Sequence, residues 1–479
     1  MPLIIPANTL SADAYEISNS GQFNDGQTQA LTRTHGASGS TRTFTFSCWV
    51  KFSDRKLGSS ATDCCHGIFA SEEEAGHQFF ISTDEGDFRI ADYQDGSYNL
   101  HLITDRKFRD YSAWYHFCII FDTTNGTEGD RCKLYVNGVR ETSFSTETYP
   151  SVNTDLYGNG NQAHFIGRRG GSNTMYFDGY MADVNFIDGT AAAHTDFGES
   201  NDNGVWVPKK FSGSYGTNGF FLEFGNTGTG QGSGRFASDT SGQGNHYDTN
   251  NFSGQYQMTD TPTNNFCTLN PNDKGSEVNS TASGNLVATW NGANGHTIRS
   301  TMAVNDGKWY WEITGADNLA SGIVSTDEPI IPTSGGLFPG GSGYGAGNSY
   351  AYILGDGKTR TNNAQTTYGE SVSTSETLGC ALDLDNGKIY WSVDGVWQNS
   401  GNPVDGSNPA YTGIETGGKF FSPAWGYQTG GEDSVNVNFG NPKTTISSGN
   451  ADDNGYGNFE YDVPTGYYAL CTKNLAEFG

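Results

Sequence analysis

The densest run of acids in the chain is Glu72-Glu73-Glu74. Two carboxylates facing a sugar ring can cleave a glycosidic bond, with retention when they stand about 5 to 5.5 Å apart, and a strand would offer such a pair on alternate residues. These three glutamates are instead consecutive and run on to Gly76, so they read as a solvated loop. Asp383 and Asp385 do alternate, on the polar side of a hairpin, but beside Asn386-Gly387, where carboxylates shape turns. The chain has no Glu-x-Asp-x-x-Glu, His-Glu-x-x-His or Gly-x-Ser-x-Gly run and no full Gly-x-x-x-x-Gly-Lys-Ser/Thr phosphate loop. His35, His66, His77, His101, His116 and His164 share no ligand spacing, and His116, alternating with Trp114 and Cys118, reads as a packed histidine. The expectation is a protein that is not an enzyme.

Metal and redox chemistry are equally thin. The eight cysteines, Cys48, Cys64, Cys65, Cys118, Cys132, Cys267, Cys380 and Cys471, include no Cys-x-x-Cys pair and no regular framework. Cys48, Cys118, Cys132 and Cys380 sit in strand-like runs as small core residues, whereas Cys64-Cys65 lies in a polar loop. Asp239 to Asn245 is rich in carboxylates and amides that suit Ca²⁺, but it lacks the EF-hand pattern and reads as a hydrogen-bonded loop. No cofactor and no metal is expected. Binding is better represented. Gly335 to Tyr368 interleaves Tyr344, Tyr350, Tyr352 and Tyr368 with Gly, Ser and Asn, a mixture that offers flat apolar area with polar tips at low entropic cost and suits stacking on sugar rings. The opposing reading is a long loop packed on itself. Leu3, Ile4 and Ile5, between Pro2 and Pro6, form an apolar arm expected to dock on a partner or sister subunit.

The elements that must carry these residues are strands. In Leu378 to Trp397 apolar residues alternate along two arms around Asp385-Asn386-Gly387, which predicts a hairpin with one wet face followed by a second turn at Asp394-Gly395. Trp114 to Arg140 repeats the pattern more loosely, ending in Asn137-Gly138-Val139. Residues 44–52 alternate Phe44, Phe46, Cys48 and Val50 with Thr45, Ser47, Trp49 and Lys51, a strand with one polar face. Short strands continue over 67–69, 78–82, 88–92, 98–103, 164–168 and 176–187, the spacing of a sandwich. Gly is 66 of 479 residues and charged residues are 16%, a turn-rich composition in which 13% aromatics supply the core. With 26 basic and 53 acidic residues the net charge is -27, which disfavours nucleic acid and anionic membranes as partners. The N-terminus has no basic start and only a short apolar run, so neither a signal peptide nor a membrane insertion is expected. The fold class is all-β: two tandem antiparallel β-sandwiches, or jelly rolls, with an extended N-terminal arm. The expected boundaries are arm 1–17, first sandwich 18–225, Gly-rich connector 226–284 and second sandwich 285–479.

The runs FTFSCWVKF, WYHFCIIFDT, KLYVNGVRE, HFIGRRG and FDGYMADVNFIDGTA, in that order, resemble the concanavalin A-like, laminin-G-like jelly-roll family. GKWYWEI, LGCALDLDNGKIYWSVDGVW and FFSPAWGYQ followed by VNVNFG resemble the SPRY family, with Trp309, Trp391 and Trp425 at believable intervals and an unusually long stretch from Ser321 to Thr377. The whole arrangement resembles virion structural proteins of marine tailed phages. That resemblance implies a tail fibre, adhesin or capsid appendage on the surface of an extracellular particle assembled in the host cytoplasm. It implies attachment to host surface polysaccharide or assembly contacts, other virion proteins as partners, and homo-oligomerisation. A free carbohydrate-binding module and a cryptic polysaccharide depolymerase are the alternative readings.

Overall fold

Period-two patterning punctuated by Gly, Asn and Asp makes nearly every element a strand. The computed structural model describes residues 15–53, 65–74, 76–170, 175–253, 255–276, 278–290, 296–315, 317–330, 338–427 and 433–479. Leu3, Ile4 and Ile5, and with them the docking arm, lie outside the described residues, as does Cys64. The chain divides into two compact units that meet in sequence between Thr263 and Asn264.

In the first unit one antiparallel sheet runs in the order Val139–Arg140, Cys132–Val136, Tyr115–Asp122, Thr43–Phe52, Gly179–Asp188, Ser20–Phe23 and Gln257–Met258, with Phe220–Leu222 also on Gly179–Asp188. The facing sheet runs Phe144–Thr148, Ser97–Lys107, Asp87–Gln94, His77–Asp84, Cys65–Glu74, Ala163–Ile166, Ala30–Thr34 and Asp248–Asn250. Phenylalanine rings fill the space between, Phe44 against Phe121 at 4.4 Å and Phe88 against Phe117 at 4.3 Å. Large aromatic areas thus compensate for a poorly aliphatic sequence.

In the second unit one sheet runs Leu269–Lys274, Thr297–Ser300, Phe421–Tyr427, Leu319–Ser325, Ser349–Ile353, Lys358–Thr361 and Ala364–Thr367. The other runs Val278–Ala282, Val287–Trp290, Asp433–Asn438, Lys308–Thr314, Leu378–Asp383, Lys388–Val393 and Val396–Trp397, with Tyr468–Ala469 parallel to Lys308–Thr314. Trp290, Trp309, Trp311, Trp391 and Trp425 anchor this core.

Three expectations need correction. The 226–284 stretch is not a connector: Phe236, Ala237, Tyr247 and Phe252 join the first core, while Leu269–Lys274 and Val278–Ala282 are strands of the second unit. Its Gly and Asn residues make ordered turns, because Asp239 accepts hydrogen bonds from the Phe221, Ser241 and Asn245 amides. The Leu378–Trp397 hairpin has no wet face, since Tyr310, Ala381, Tyr390, Phe459, Tyr467, Ala469 and Cys471 cluster on the side turned from the main core. Thr43–Phe52 is likewise buried along all but its first residue. Its polar side is closed by Ile17, Trp114, Tyr180 and Met258 and by an ion pair from Lys51 to Asp260 at 2.7 Å. Asp260 also accepts the Trp114 indole N–H at 2.9 Å. A polar strand face becomes interior when a later segment brings partners for each polar atom.

The turns agree with the reading. Asn137 and Gly138 have φ of 47° and 76°, Asp394 and Gly395 of 46° and 77°, so both reversals use the paired left-handed geometry that matches strand twist. Asp383 accepts from the Asn386 amide and side chain and pairs with Lys308, and Asp385 accepts from the Gly307 N–H. Both acids are turn-shaping residues.

Candidate functional site

The four tyrosines expected to line a binding loop are not offered to solvent. Tyr350, Tyr352 and Tyr368 belong to the second core, and Tyr344 packs on Val324 and Ala424 while its hydroxyl donates to Thr297 Oγ1 at 2.8 Å. The Tyr352 hydroxyl donates to the Glu370 carbonyl. Ser349–Ile353 is a central strand of its sheet, so aromatic alternation there served the core and the long loop packs on itself.

The open face with chemistry is on the first unit, on the side of the long sheet turned from the core. Register lines up Phe165, Ala70, Phe80, Ala91 and His101 in one row across five strands. A second row is Ala163, Glu72, Gln78, Tyr93 and Tyr98, and a third is Gly67, Ser82, Arg89 and Ile103. Tyr98 is 42% exposed, stacks on His101 at 4.1 Å and meets Tyr93 edge-on at 5.0 Å. The segment after Ala163–Ile166 crosses the face so closely that a Cβ on Gly67 would lie 2.0 Å from the Arg169 nitrogen. It places the Arg168 guanidinium 4.1 Å above Phe165 and that of Arg169 3.7 Å above Phe80. Arg89 pairs with Asp84 at 2.6 Å. Arg169 closes over Phe80, which is buried, so the rings that reach solvent are Tyr98 and, in part, Tyr93 and Phe165, with three guanidiniums around them.

Electrostatics fit the same picture. Burial, with Arg89 and Arg169 adding to it, pushes the His101 imidazole below its usual range, so it faces solvent neutral. Burial pushes the Glu72 carboxyl up against the pull of Arg168, Gln78 and Arg169. Glu72 is not in a solvated loop, as the sequence led us to expect, but within Cys65–Glu74, where it accepts from Gln78 at 3.2 Å. The side chains of Glu73 and Glu74 are outside the described residues.

Two other arrangements were tested for chemistry. His116 contacts Ser47 Oγ through Nε2 at 2.9 Å, but the Trp206 indole N–H donates to Nδ1 at 3.1 Å. The ring proton therefore sits on Nε2 and points at the serine, so the imidazole cannot take the hydroxyl proton. Burial holds His116 down to about 3. In the second unit Glu312 and Glu460 line a shallow open pocket with Thr314, Thr377, Asn436 and Lys443. Burial raises Glu312, while hydrogen bonds from Ser447 lower Glu460, a separation that acid–base pairs use. Yet Glu312 accepts from the Tyr310 hydroxyl, the Asn438 amide and the Glu460 and Tyr461 backbone N–H groups. Its oxygens are committed to clamping the chain near residue 460 onto Lys308–Thr314. Among the described residues no group of three or more His, Cys, Asp or Glu is arranged to hold a metal, and no helix is long and apolar enough to cross a membrane.

Comparison with known proteins agrees with the first unit's geometry. Residues 24–195 match the profile described as the concanavalin A-like lectin/glucanases superfamily, and this segment is a concanavalin A-like, laminin-G-like domain. A 127-residue stretch is 31% identical to the ATP-dependent RNA helicase DDX1 of Xenopus laevis, covering 26% of this chain and 16% of that protein. The chain thus spans about a sixth of that relative's length. Among solved structures, the SPRY domain of human HERC1 overlays with a TM-score of 0.26 and 13% identity, covering 35% of this chain and 96% of its own. A heptameric SAP-like pentraxin from Limulus polyphemus overlays with a TM-score of 0.28 and 14% identity, covering 41% of this chain and 94% of its own. Likeness at that level says nothing of ligand.

The sequence reading missed Phe80, Arg89, Tyr93, Tyr98, Phe165, Arg168 and Arg169 as a group. Strands were expected at 78–82, 88–92, 98–103 and 164–168, but the second stops short of Tyr93 and the last runs past Ile166, where the strand ends. The Arg168-Arg169 pair lay in a quoted motif, and only cross-strand register sets Phe80 beside Ala91 and Tyr93 beside Tyr98.

Proposed function

We propose that this chain is a non-enzymatic attachment protein that binds glycans through the aromatic and arginine face of its first unit. The observation that carries this is the placing of Tyr93 and the exposed Tyr98 side by side, next to three guanidiniums, on the outer side of the sheet. Sugar rings present apolar C–H faces that stack on tyrosine, and their hydroxyls accept from guanidinium N–H groups. The lectin-type family match of residues 24–195 supports the same reading. The order of motifs along the chain supports a finer one, display on a tailed-phage particle as a tail fibre, adhesin or capsid appendage among other virion proteins.

Screening the full chain on immobilised glycans tests the binding site. Tyr98→Ala and Tyr93→Ala should each weaken retention about 10-fold, the scale of one lost aromatic contact. Retention unchanged in both variants would remove the face from consideration. Gold-labelled antibody on purified particles tests display, and label confined to the cytosol of infected cells would defeat it.

A further inference from the structure

We infer that the glycan taken by this face is anionic, with Arg89 and Arg168 holding its acidic groups while Tyr93 and Tyr98 stack on its rings. The inference rests on the proposed glycan-binding reading and narrows it to a ligand class. Three observations lead to it. First, charge on the face runs against the charge of the molecule. The chain carries -27 overall, yet here Arg89, Arg168 and Arg169 face the carboxylates of Glu72 and Asp84, and His101 is held neutral.

Second, the Arg89 and Arg168 guanidiniums keep unused hydrogen-bonding capacity. Among the described residues no carboxylate lies within ion-pair distance of Arg168, whose nearest aromatic partner is Phe165, and its Nε has no hydrogen-bond partner. Arg89 spends one arm on Asp84, and its Nε is likewise unpartnered. Both Nε atoms are closed off from solvent, so what is left for a ligand is the terminal N–H groups of Arg168 and the arm of Arg89 not spent on Asp84. Third, the planar fork of arginine fits carboxylate and sulfate through two parallel bonds, a match that neutral hydroxyls cannot make.

Long-range repulsion from the whole molecule limits how densely charged the ligand is. At physiological salt that repulsion fades over about 8 Å, while contacts on the face do not. A polymer with one acidic group per sugar or fewer gains from the arginines without meeting the full field. A nucleic acid has the same one acidic group per sugar, but its phosphate links the sugars instead of sitting on a ring that Tyr93 or Tyr98 can stack on, so arginine and tyrosine contacts are not met together.

The test is binding of the intact chain to polygalacturonate, κ-carrageenan, dextran and polyuridylate. We expect retention on polygalacturonate, carrageenan or both, with at least 10-fold weaker binding to dextran and polyuridylate. Which acidic polymer binds tells carboxylate from sulfate. Arg168→Gln and Arg89→Gln should each weaken acidic-polymer binding at least 10-fold without lowering Tm, and Arg168→Lys should restore only part of it. Equal binding of dextran and the acidic polymers, unaffected by the arginine variants but lost in Tyr98→Ala, would overturn the anionic class and leave the glycan site standing. Binding of polyuridylate as tight as that of the acidic polymers would also overturn it. No retention on any polymer would sink both.

Discussion

The two units close the same kind of sheet face with opposite chemistry. In the second unit Phe338 lies over Ala320, Ala351 and Ile353, and Tyr344 over Val324 and Ala424, so a loop plugs the outer side of the sheet with aromatic rings. Gly426 makes room, since a Cβ there would lie 2.7 Å from Pro339. In the first unit small residues Ala70 and Ala91 again flank the centre of a sheet face, but the crossing segment brings Arg168 and Arg169. Rings on aliphatic side chains exclude water, and the Arg360 guanidinium over Phe338 is itself buried, whereas Arg168 and Arg169 are only half-buried over their rings. One plan therefore yields a sealed wall in one unit and an arginine-rimmed open face in the other.

The opposite sheets differ as well. The first unit ties its covering segment down with Lys51 and Asp260, the second with Glu312 and four donors around an aromatic cluster. Asp260→Ala is the most damaging change, because it removes the carboxylate that pairs with a buried ammonium and accepts the Trp114 indole N–H. A loss of about 3 to 5 kcal/mol is expected, seen in calorimetry as a lowered transition for the first unit alone. Coincident lowering of both transitions would deny that the units are separately secured. Tyr344→Ala should cost about 3 kcal/mol in the second unit's transition and leave glycan binding untouched. Loss of binding in that variant would reopen the loop as a site.

Asp183 offers a pH test confined to the first unit. It is buried with φ of 44° beside a register shift in Gly179–Asp188, and burial, with Glu223 adding to it, raises its pKa to about 7 despite a hydrogen bond from Tyr15. A carboxyl raised in the folded state is bound to its proton more tightly there than in the unfolded chain. Its contribution is therefore intact below the unfolded value near 3.8 and is lost as pH climbs through about 7. Asp183→Asn, which tolerates the left-handed backbone, should match the parent in Tm at pH 4 and exceed it at pH 8 by an amount worth up to about 4 kcal/mol, the value of a shift of about three pKa units. A constant difference across that range would mean that the carboxyl does not titrate there. Asp92, raised by burial to about 6, is a second group acting in the same sense. The smallest effect is Tyr98→Ala, whose exposed ring should cost under about 0.5 kcal/mol of stability while glycan binding falls. That inverts the outcome for Tyr344.

Asp385 reaches the Gly307 N–H 78 residues away, but strand runs, both left-handed turns and the Asp383–Asn386 contact were readable because each depends on residues within a few positions. Burial of Tyr350 and Tyr352 was not, since a Gly- and Tyr-rich run has the same composition whether it packs or projects. Nor were the wet faces assigned to residues 44–52 and 378–393, because what covers them arrives late: Asp260 is 209 residues from Lys51, and the Glu460 amide 148 from Glu312.

The sequence by itself determined the all-β class, the hairpin turns and the acidic, turn-rich surface, because alternation and φ preference act locally. Tertiary structure alone decided which polar faces went inside and which stayed open. It also gathered Phe80, Tyr93, Tyr98 and the three arginines on one sheet, because cross-strand register and the path of residues 167–170 are set by packing between distant segments.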